Sequence, residues 1–437
     1  MRARDAEDLT VVRHSAKPSV VMLGTYPPRE CGIATFTQDT VLSLRQWPTL
    51  IREVTVCAVN DWPPSYRYGP DVRYAIDDSQ LASYRRAARY INQSRADIVS
   101  IQHEYGIFRG DDGDFVLEFM RHLGIPIVTT LHTVLSKPQG HFKEVTESVV
   151  DASEAVVVLA HTAKDILAQT CRVSRHKIHH IPHGIPDMLW SPELLRRRKA
   201  EMGLSDRTVV STFGLISPGK GIEYALDAVA SAAKEHEDLL YLVIGRTHPG
   251  IVRREGETYR QQLVQRCREL GIERNVLFVD RYLSLRELIV YLQASDIYLM
   301  PYLNPEQIVS GTLAYALGAG KPTIATPFAY AKEVLADGRG MLVPFRDARA
   351  IADALASLLE HEGMRLRMAS RAYQFTRPWV WREVGRQYAM LYHRVVARPQ
   401  VVVPVPPSPR PDHQCRIPPQ RLKACQCTSW SAATRQP

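Results

Sequence analysis

No apolar stretch in this 437-residue chain approaches the roughly 20 residues that a membrane-spanning helix needs; the longest candidates, "SVVMLG" and "AVVVLA", are strand-sized. A helical membrane span is excluded. The opening stretch "MRARDAEDLTVVRHSAKPS" carries acidic residues and lacks an apolar h-region, so it does not read as a secretory leader, and a cytoplasmic protein is expected. The seven cysteines form no disulfide framework and show no metal-ligand spacing: Cys31, Cys57, Cys171 and Cys267 stand alone. Cys415, Cys425 and Cys427 fall near the carboxyl end, where "CQC" is a lone pair read as incidental, with soft-metal binding as the sharper alternative. The formal charge of +9 has no nucleic-acid motif beside it. Basic residues are scattered except in "LLRRRKA" near Leu194, which reads as a solvated helix face or, alternatively, as a peripheral contact with an anionic membrane surface.

What the chain does have is length and alternation. A single hydrophobic core rarely supports 437 residues, and 45% hydrophobic with 23% charged residues is an ordinary globular composition, so two domains are expected. Short apolar runs alternate with amphipathic stretches, the pattern of strand–helix units in parallel sheets. In the first half the runs are "SVVMLG", "VTVCAVN", "ADIVSIQ", "IPIVTTLH" and "AVVVLA"; in the second they are "TVVSTFG", "LYLVIG", "VLFVD", "DIYLMP" and "KPTIAT". Two such sets predict two doubly wound α/β domains, at 17–183 and 207–378. The turn-rich, charged segment 184–206 between them reads as a linker. "WVWREVGRQYAMLYHRVVA" is an aromatic-rich amphipathic helix, 379–396, that either ends the second domain or crosses back to the first. The proline density of 398–437 predicts a disordered tail.

Ligands of open parallel sheets bind beyond the carboxyl ends of the strands, so the loops there are the places to look for chemistry. In "GTYPPRECGIATF", Gly32 opens a helix and would let a phosphate or sugar approach the backbone, unless it is a plain turn glycine. "STFGLISPGKGIEYAL" runs strand, Gly214, loop, then Lys220 and Gly221 at a helix start, which suits a diphosphate although the GxxxxGK[ST] spacing of a P-loop is absent. In "EQIVSGTLAYALGAGKPTIAT", Ser310, Gly311 and Thr312 leave the first amides of a helix bare. Either Ser310 is simply an N-cap, or those amides hold an anion.

Taken in order, "IPHGIPD", "GLISPGKGIEYALDAVA", "YLVIGRTHPG" and "LQASDIYLMPYLNPEQIVSGTLAYALGAGKPTIAT" resemble the nucleotide-sugar-dependent glycosyltransferases of family 4, also called group 1, with the GT-B fold. "PPRECGIATFTQ", "IQHEYGIF" and "VTTLHT" are similar to the acceptor domain of that family. The resemblance implies two facing Rossmann-like domains with a C-terminal helix crossing back to the first. It implies a hexose moved from a nucleotide diphosphate sugar to a carbohydrate or lipid-linked hydroxyl acceptor, with retention and no separate cofactor. By the same resemblance Lys220 neutralises the donor diphosphate, Gly32 and Gly214 approach it, Ser310, Gly311 and Thr312 grip it, and His132 contacts the transferred sugar. His103 and Glu104 of "HEYG" line the acceptor cleft, or Glu104 pairs with an arginine.

Two departures stand out. The position after Gly214, an arginine in many members, is Leu215, which leaves Arg246 or His248 of "GRTHPG" to supply a second cation. The family's two glutamates fall on Gln307 and Tyr315, with Glu306 adjacent, so the chain resembles a branch lacking the usual pair. No paired carboxylates of the Asp-x-Asp type occur in a metal-holding context, and transfer without a metal is expected. A nucleotide-sugar epimerase of the same fold, or a non-catalytic sugar-nucleotide-binding protein, remain the alternatives; release of free nucleotide with a product glycoside separates transfer from both.

The last element with an apolar face ends near Val396. Deleting 398–437 is therefore expected to leave melting temperature and turnover nearly unchanged, and a fall of several degrees would show that the segment docks.

Overall fold

The computed structural model describes residues 17–61 and 66–397; the segment 398–437 lies outside them. The first lobe is built on a seven-stranded sheet with the order β3-β2-β1-β4-β5-β6-β7. Its strands are β1 (Ser19–Gly24), β2 (Glu53–Asn60), β3 (Val72–Asp77), β4 (Ile98–His103), β5 (Ile127–Leu131), β6 (Ala155–Val158) and β7 (Ile178–His180). The second lobe has six strands in the order β10-β9-β8-β11-β12-β13. These are β8 (Thr208–Phe213), β9 (Leu239–Ile244), β10 (Val276–Val279), β11 (Ile297–Met300), β12 (Thr323–Ala325) and β13 (Gly340–Leu342). Pairing is parallel throughout both sheets. Strands β1, β4 and β9 are buried at every position, as strands covered on both faces must be, which is why their sequences are unbroken apolar runs.

Strands β3, β7 and β13 add to the ten apolar runs, and each is a sheet edge. In β3, "VRYAID", exposed and half-buried positions alternate because the edge is solvated, while β7 and β13 are three residues long. The order of each sheet reverses once, between β1 and β4 in the first and between β8 and β11 in the second. At such a reversal the neighbouring crossovers leave toward opposite faces, and a crevice opens beyond the strand ends.

The terminal helix, Trp381–Val396, crosses back to the first lobe. Its stripe of Trp381, Val384, Tyr388, Leu391, Tyr392 and Val395 is buried in the core under the first sheet with Val20, Met22, Phe36 and Val128. Tyr392 donates its hydroxyl to Ser100 Oγ at 2.8 Å, the Tyr388 and Thr130 hydroxyls are 3.0 Å apart, and Trp47 Nε1 donates to the Arg382 carbonyl at 2.8 Å. The two passages of the chain between the lobes are joined to each other: Ile185 N–H donates to the Trp379 carbonyl at 2.8 Å, and Trp381 N–H to the Ile185 carbonyl at 2.9 Å.

Within 184–206 the chain forms one helix, Pro192–Glu201, capped by the Ser191 hydroxyl and burying none of its residues. Its basic run is matched by acids: Arg196 pairs with Glu193, Arg197 and Arg198 with Glu201, and Lys199 with Asp296. A face neutralised in this way fits the solvated-helix reading of "LLRRRKA" and leaves little free charge for an anionic membrane. Among the described residues no helix is long and apolar enough to cross a membrane.

Gly385 sets how closely the terminal helix approaches the first helix, Gly32–Arg45. A Cβ there would lie 2.7 Å from the backbone carbonyl of Ser43. Gly385→Val is expected to force the helices apart and lower the melting temperature by roughly 5 °C, read by thermal unfolding. An unchanged or higher value would mean that the contact yields freely.

Candidate active site

The second lobe brings three loops together at its switch point. After β8 the chain turns at Gly214, whose φ of +131° lies in a region that side chains avoid. A Cβ on Gly214 would also come within 3.2 Å of Thr312 Cγ2, so the β8 loop and the start of helix Gly311–Gly318 are in contact. The loops after β8 and β9 are laced together: Ile216 N–H donates to the Arg246 carbonyl and His248 N–H to the Ile216 carbonyl, each at 2.8 Å. Lys220 Nζ sits 3.8 Å from the centroid of the Tyr302 ring, and the Tyr302 hydroxyl is 3.1 Å from Thr312 Oγ1. Tyr302 thus links the lysine to the helix start. It stands two residues past the end of β11 in "LMPYLNP", and the sequence alone did not single it out.

Ser310 is the N-cap as well as a neighbour of the site. Its hydroxyl accepts from Leu313 N–H at 3.3 Å and lies 3.0 Å from the Thr312 hydroxyl. The space beside Gly311 is taken by His183 of "IPHGIPD", because a Cβ on Gly311 would lie 2.7 Å from His183 Nε2. The small residue at 311 therefore has a reason besides leaving room for a phosphate: it admits the imidazole. His183 Nδ1–H donates to the Gly184 carbonyl at 2.8 Å, which leaves Nε2 as an acceptor toward the helix start. Burial holds this ring neutral, with its pKa down at about 4.

From the first lobe, Phe36 on the first helix meets both histidines of the cleft edge-on, His132 at 4.6 Å and His183 at 5.0 Å between centroids. His132 lies just beyond the end of β5, 2.9 Å through Nε2 from Gln102 Oε1, so Nε2 carries the proton and Nδ1 accepts. Burial first, and then the neighbouring imidazoles of His183 and His103, push its pKa down to about 3. Gly32 opens the first helix with its Cα facing open space, and Cys31, through a sulfur that accepts from Ala34 N–H, is its N-cap.

The remaining candidates divide. The Arg246 guanidinium pairs at 3.0 Å with Glu30 of the first lobe. His248 is near enough to Lys220 for the charge to help depress its pKa, after the larger effect of burial, but its Nδ1 accepts from Gly250 N–H and caps the next helix. Gln307 is folded onto its own loop, Nε2 donating to the Val309 carbonyl at 3.0 Å. Its neighbour Glu306 reaches across to Ser136 of the first lobe at 2.7 Å. His103 requires a correction: 1% exposed and lying among Tyr105 and Phe108, it is a core residue that no acceptor can touch. Glu104 stays at the cleft side of β4, accepting from the Thr133 hydroxyl at 2.7 Å, and no arginine pairs with it among the described residues. Burial raises its pKa despite that bond and those from the Tyr105 and Gly106 amides.

Tyr315, at the position of the second family glutamate, is buried against the first lobe with its hydroxyl 3.3 Å from Asp39 Oδ2. Burial raises the Asp39 pKa to about 6, and the tyrosine hydrogen bond offsets part of that rise. A half-buried acid is therefore supplied from the opposite lobe, and no spacing within the motif could have revealed it.

Two facing Rossmann-like lobes, a helix that crosses back, and a cleft lined by helix N-termini and a lysine define a GT-B glycosyltransferase. Residues 33–187 match the glycosyltransferase family 4 model and residues 197–375 that of glycosyl transferases group 1. The chain belongs to this family, and it is an enzyme of the glycosyltransferase class. It is 26% identical over 340 residues to the D-inositol 3-phosphate glycosyltransferase of Corynebacterium glutamicum, a match spanning 74% of this chain and 79% of the relative. It is 30% identical over 182 residues to the phosphatidyl-myo-inositol mannosyltransferase of Mycobacterium leprae, across 41% and 44% of the two chains. Among solved structures, Anabaena HepE in complex with UDP superposes with a TM-score of 0.66 at 16% identity, covering 85% of this chain and 99% of its own. Sucrose-phosphate synthase from Thermosynechococcus elongatus gives 0.70 at 15%, covering 87% and 99%.

The buried imidazoles have a consequence for stability. His103, His132 and His183 titrate near 4, 3 and 4 when folded, against about 6.5 unfolded. Between those values the unfolded chain binds protons that the folded chain refuses, so stability rises with pH across the window and is lost as pH falls through 6.5. Asp39, raised to about 6, and Glu104, raised by burial, work in the opposite sense, while His180, lowered to about 4, adds to the histidine effect. From pH 7 to 5 each histidine should cost about 2 kcal/mol, so the melting temperature should drop steeply over that range; a flat profile would contradict the buried neutral rings.

Proposed function

We propose that the enzyme moves a hexose from a nucleotide diphosphate sugar to a hydroxyl of a carbohydrate or lipid-linked acceptor, with retention of anomeric configuration and no metal in the chemical step. The observation that carries this reading is the convergence of Lys220, Gly214 and the amides of Gly311 and Thr312 at the switch point of the second sheet. Departure of the diphosphate develops negative charge, and a lysine beside a helix N-terminus is built to receive it. His132, neutral at any assay pH and acceptor at Nδ1, suits a sugar hydroxyl better than an anion. Glu104, whose burial favours the protonated form, belongs to the acceptor side.

The names of the relatives favour a polyol or inositol phosphate as acceptor, and UDP in the HepE structure makes uridine sugars the first donors to try. Thermal-shift measurements with UDP-, GDP- and ADP-sugars identify the base by the largest rise in melting temperature.

Lys220 is the sharpest test of the mechanism. With Leu215 in place of a second cation and Arg246 held by Glu30, Lys220→Ala removes the principal full charge at the leaving group. It should cost about 3 kcal/mol, roughly a hundredfold in kcat, with the melting temperature kept because the side chain is at the cleft rim. Near wild-type transfer of the correct donor by Lys220→Ala would overturn the placement of the phosphate site.

A further inference from the structure

A second cluster of ligating side chains is carried by elements that hold none of the donor loops. His161 is the first residue of helix His161–Thr170, His180 is the last residue of β7, and Glu333 stands on helix Ala329–Val334 in the second lobe. A ring nitrogen of each histidine and a carboxylate oxygen of Glu333 all lie within 4.8 Å of one another. The imidazoles are in contact and tilted, with centroids 3.7 Å apart and planes inclined at 37°. His161 is exposed, while His180 and Glu333 are half-buried.

The carboxylate is already oriented. Glu333 Oε1 accepts from His161 N–H at 2.9 Å, and Oε2 accepts from Thr162 N–H at 2.8 Å and from the Thr162 hydroxyl at 2.7 Å. Oε1 carries a single bond and keeps a lone pair. Burial disfavours the protonated form of the His180 ring, and the backbone of Leu159, a smaller effect, favours it. The nearby Lys164 opposes a cation, and the full charge of Glu333 offsets it.

We propose that His161, His180 and Glu333 bind one divalent cation of the zinc type, bridging the two lobes, with water in the fourth position. Two imidazoles and one carboxylate suit zinc or cobalt and disfavour magnesium and calcium, which prefer oxygen. Ligand atoms around a tetrahedral zinc are about 3.3 Å apart, so separations of up to 4.8 Å must close by up to about 1.5 Å, which His161 supplies by rotating at its exposed position. Because two ligands belong to the first lobe and one to the second, the ion would brace the closed arrangement without touching the diphosphate site.

The test is a Co2+ titration of the full-length, chelator-stripped protein, together with a Cys415→Ser/Cys425→Ser/Cys427→Ser form that removes thiolate ligands near the carboxyl end. One saturable equivalent with the visible bands of tetrahedral nitrogen–oxygen coordination, displaced by Zn2+ and present in both forms, is expected. His161→Ala, at an exposed position, and Glu333→Gln, which keeps an acceptor for the helix start, should each weaken binding by roughly tenfold or more with the circular dichroism unchanged. One equivalent of Zn2+ should raise the melting temperature of the parent by several degrees and that of His161→Ala hardly at all. Absence of saturable binding, loss of the bands in the cysteine-free form, or full affinity in His161→Ala would overturn the site. None of these readouts depends on glycosyl transfer.

Discussion

Every strand in both sheets runs parallel to its neighbours, and this constraint organises the molecule. A parallel pair needs a crossover over one face, so the faces are covered and the loops that leave the carboxyl ends of the strands are where side chains and bare amides converge. The crevice of each sheet lies where the winding reverses, between β1 and β4 and between β8 and β11. Gly32 and Phe36 stand beside the first crevice; Gly214, Lys220 and Gly311 stand beside the second. A cleft between two such crevices follows once the terminal helix and the Ile185–Trp381 crossing tie the lobes together.

Charge at the cleft is economical. Lys220 rests on the face of Tyr302, an attraction that holds an ammonium in place without neutralising it as a carboxylate would. The two histidines of the cleft, His132 and His183, are kept neutral by burial, so they add hydrogen-bonding capacity and no positive charge. Arg246, which could have supplied a second cation, is occupied by Glu30 across the cleft. Under the proposed function, a diphosphate arriving here would meet one full positive charge, the partial charge of a helix start, and whatever the Arg246–Glu30 pair releases.

Much of this was legible in the chain. Doubly buried strands write themselves as apolar runs, and all ten runs became strands; the three that escaped are edges, where solvation or brevity erases the signal. The loops proposed to hold the diphosphate drew attention in the sequence because glycines and a lysine cluster at helix starts, although Gly311 also has the structural use of admitting His183. His103 misled because a histidine after a strand looks the same whether its ring faces the cleft or the core, and here Tyr105 and Phe108 enclose it. His183, Tyr302 and the Asp39–Tyr315 contact were invisible for a different reason. Each acquires its role from a partner distant in sequence, Gly311, Lys220 and the opposite lobe respectively, and a single chain read in order carries no such pairing.

The contacts that hold the lobes together differ in kind on their two sides. At the hinge they are apolar and buried, with Trp381, Val384, Tyr388 and Tyr392 sealed under the first sheet. Across the cleft they are polar pairs: Arg246 with Glu30, Glu306 with Ser136, Tyr282 with Thr35, and Glu333 with the start of helix His161–Thr170. Arg246 and Glu30 are 55% and 45% exposed, and exposed pairs of this sort contribute about 1 kcal/mol or less because water replaces each partner when they part. Burial at the hinge cannot be exchanged for water so cheaply, since each large apolar side chain there is worth roughly 1.5–3 kcal/mol. The balance makes the polar side the weaker of the two: separating the lobes at the cleft costs less than breaking the buried hinge.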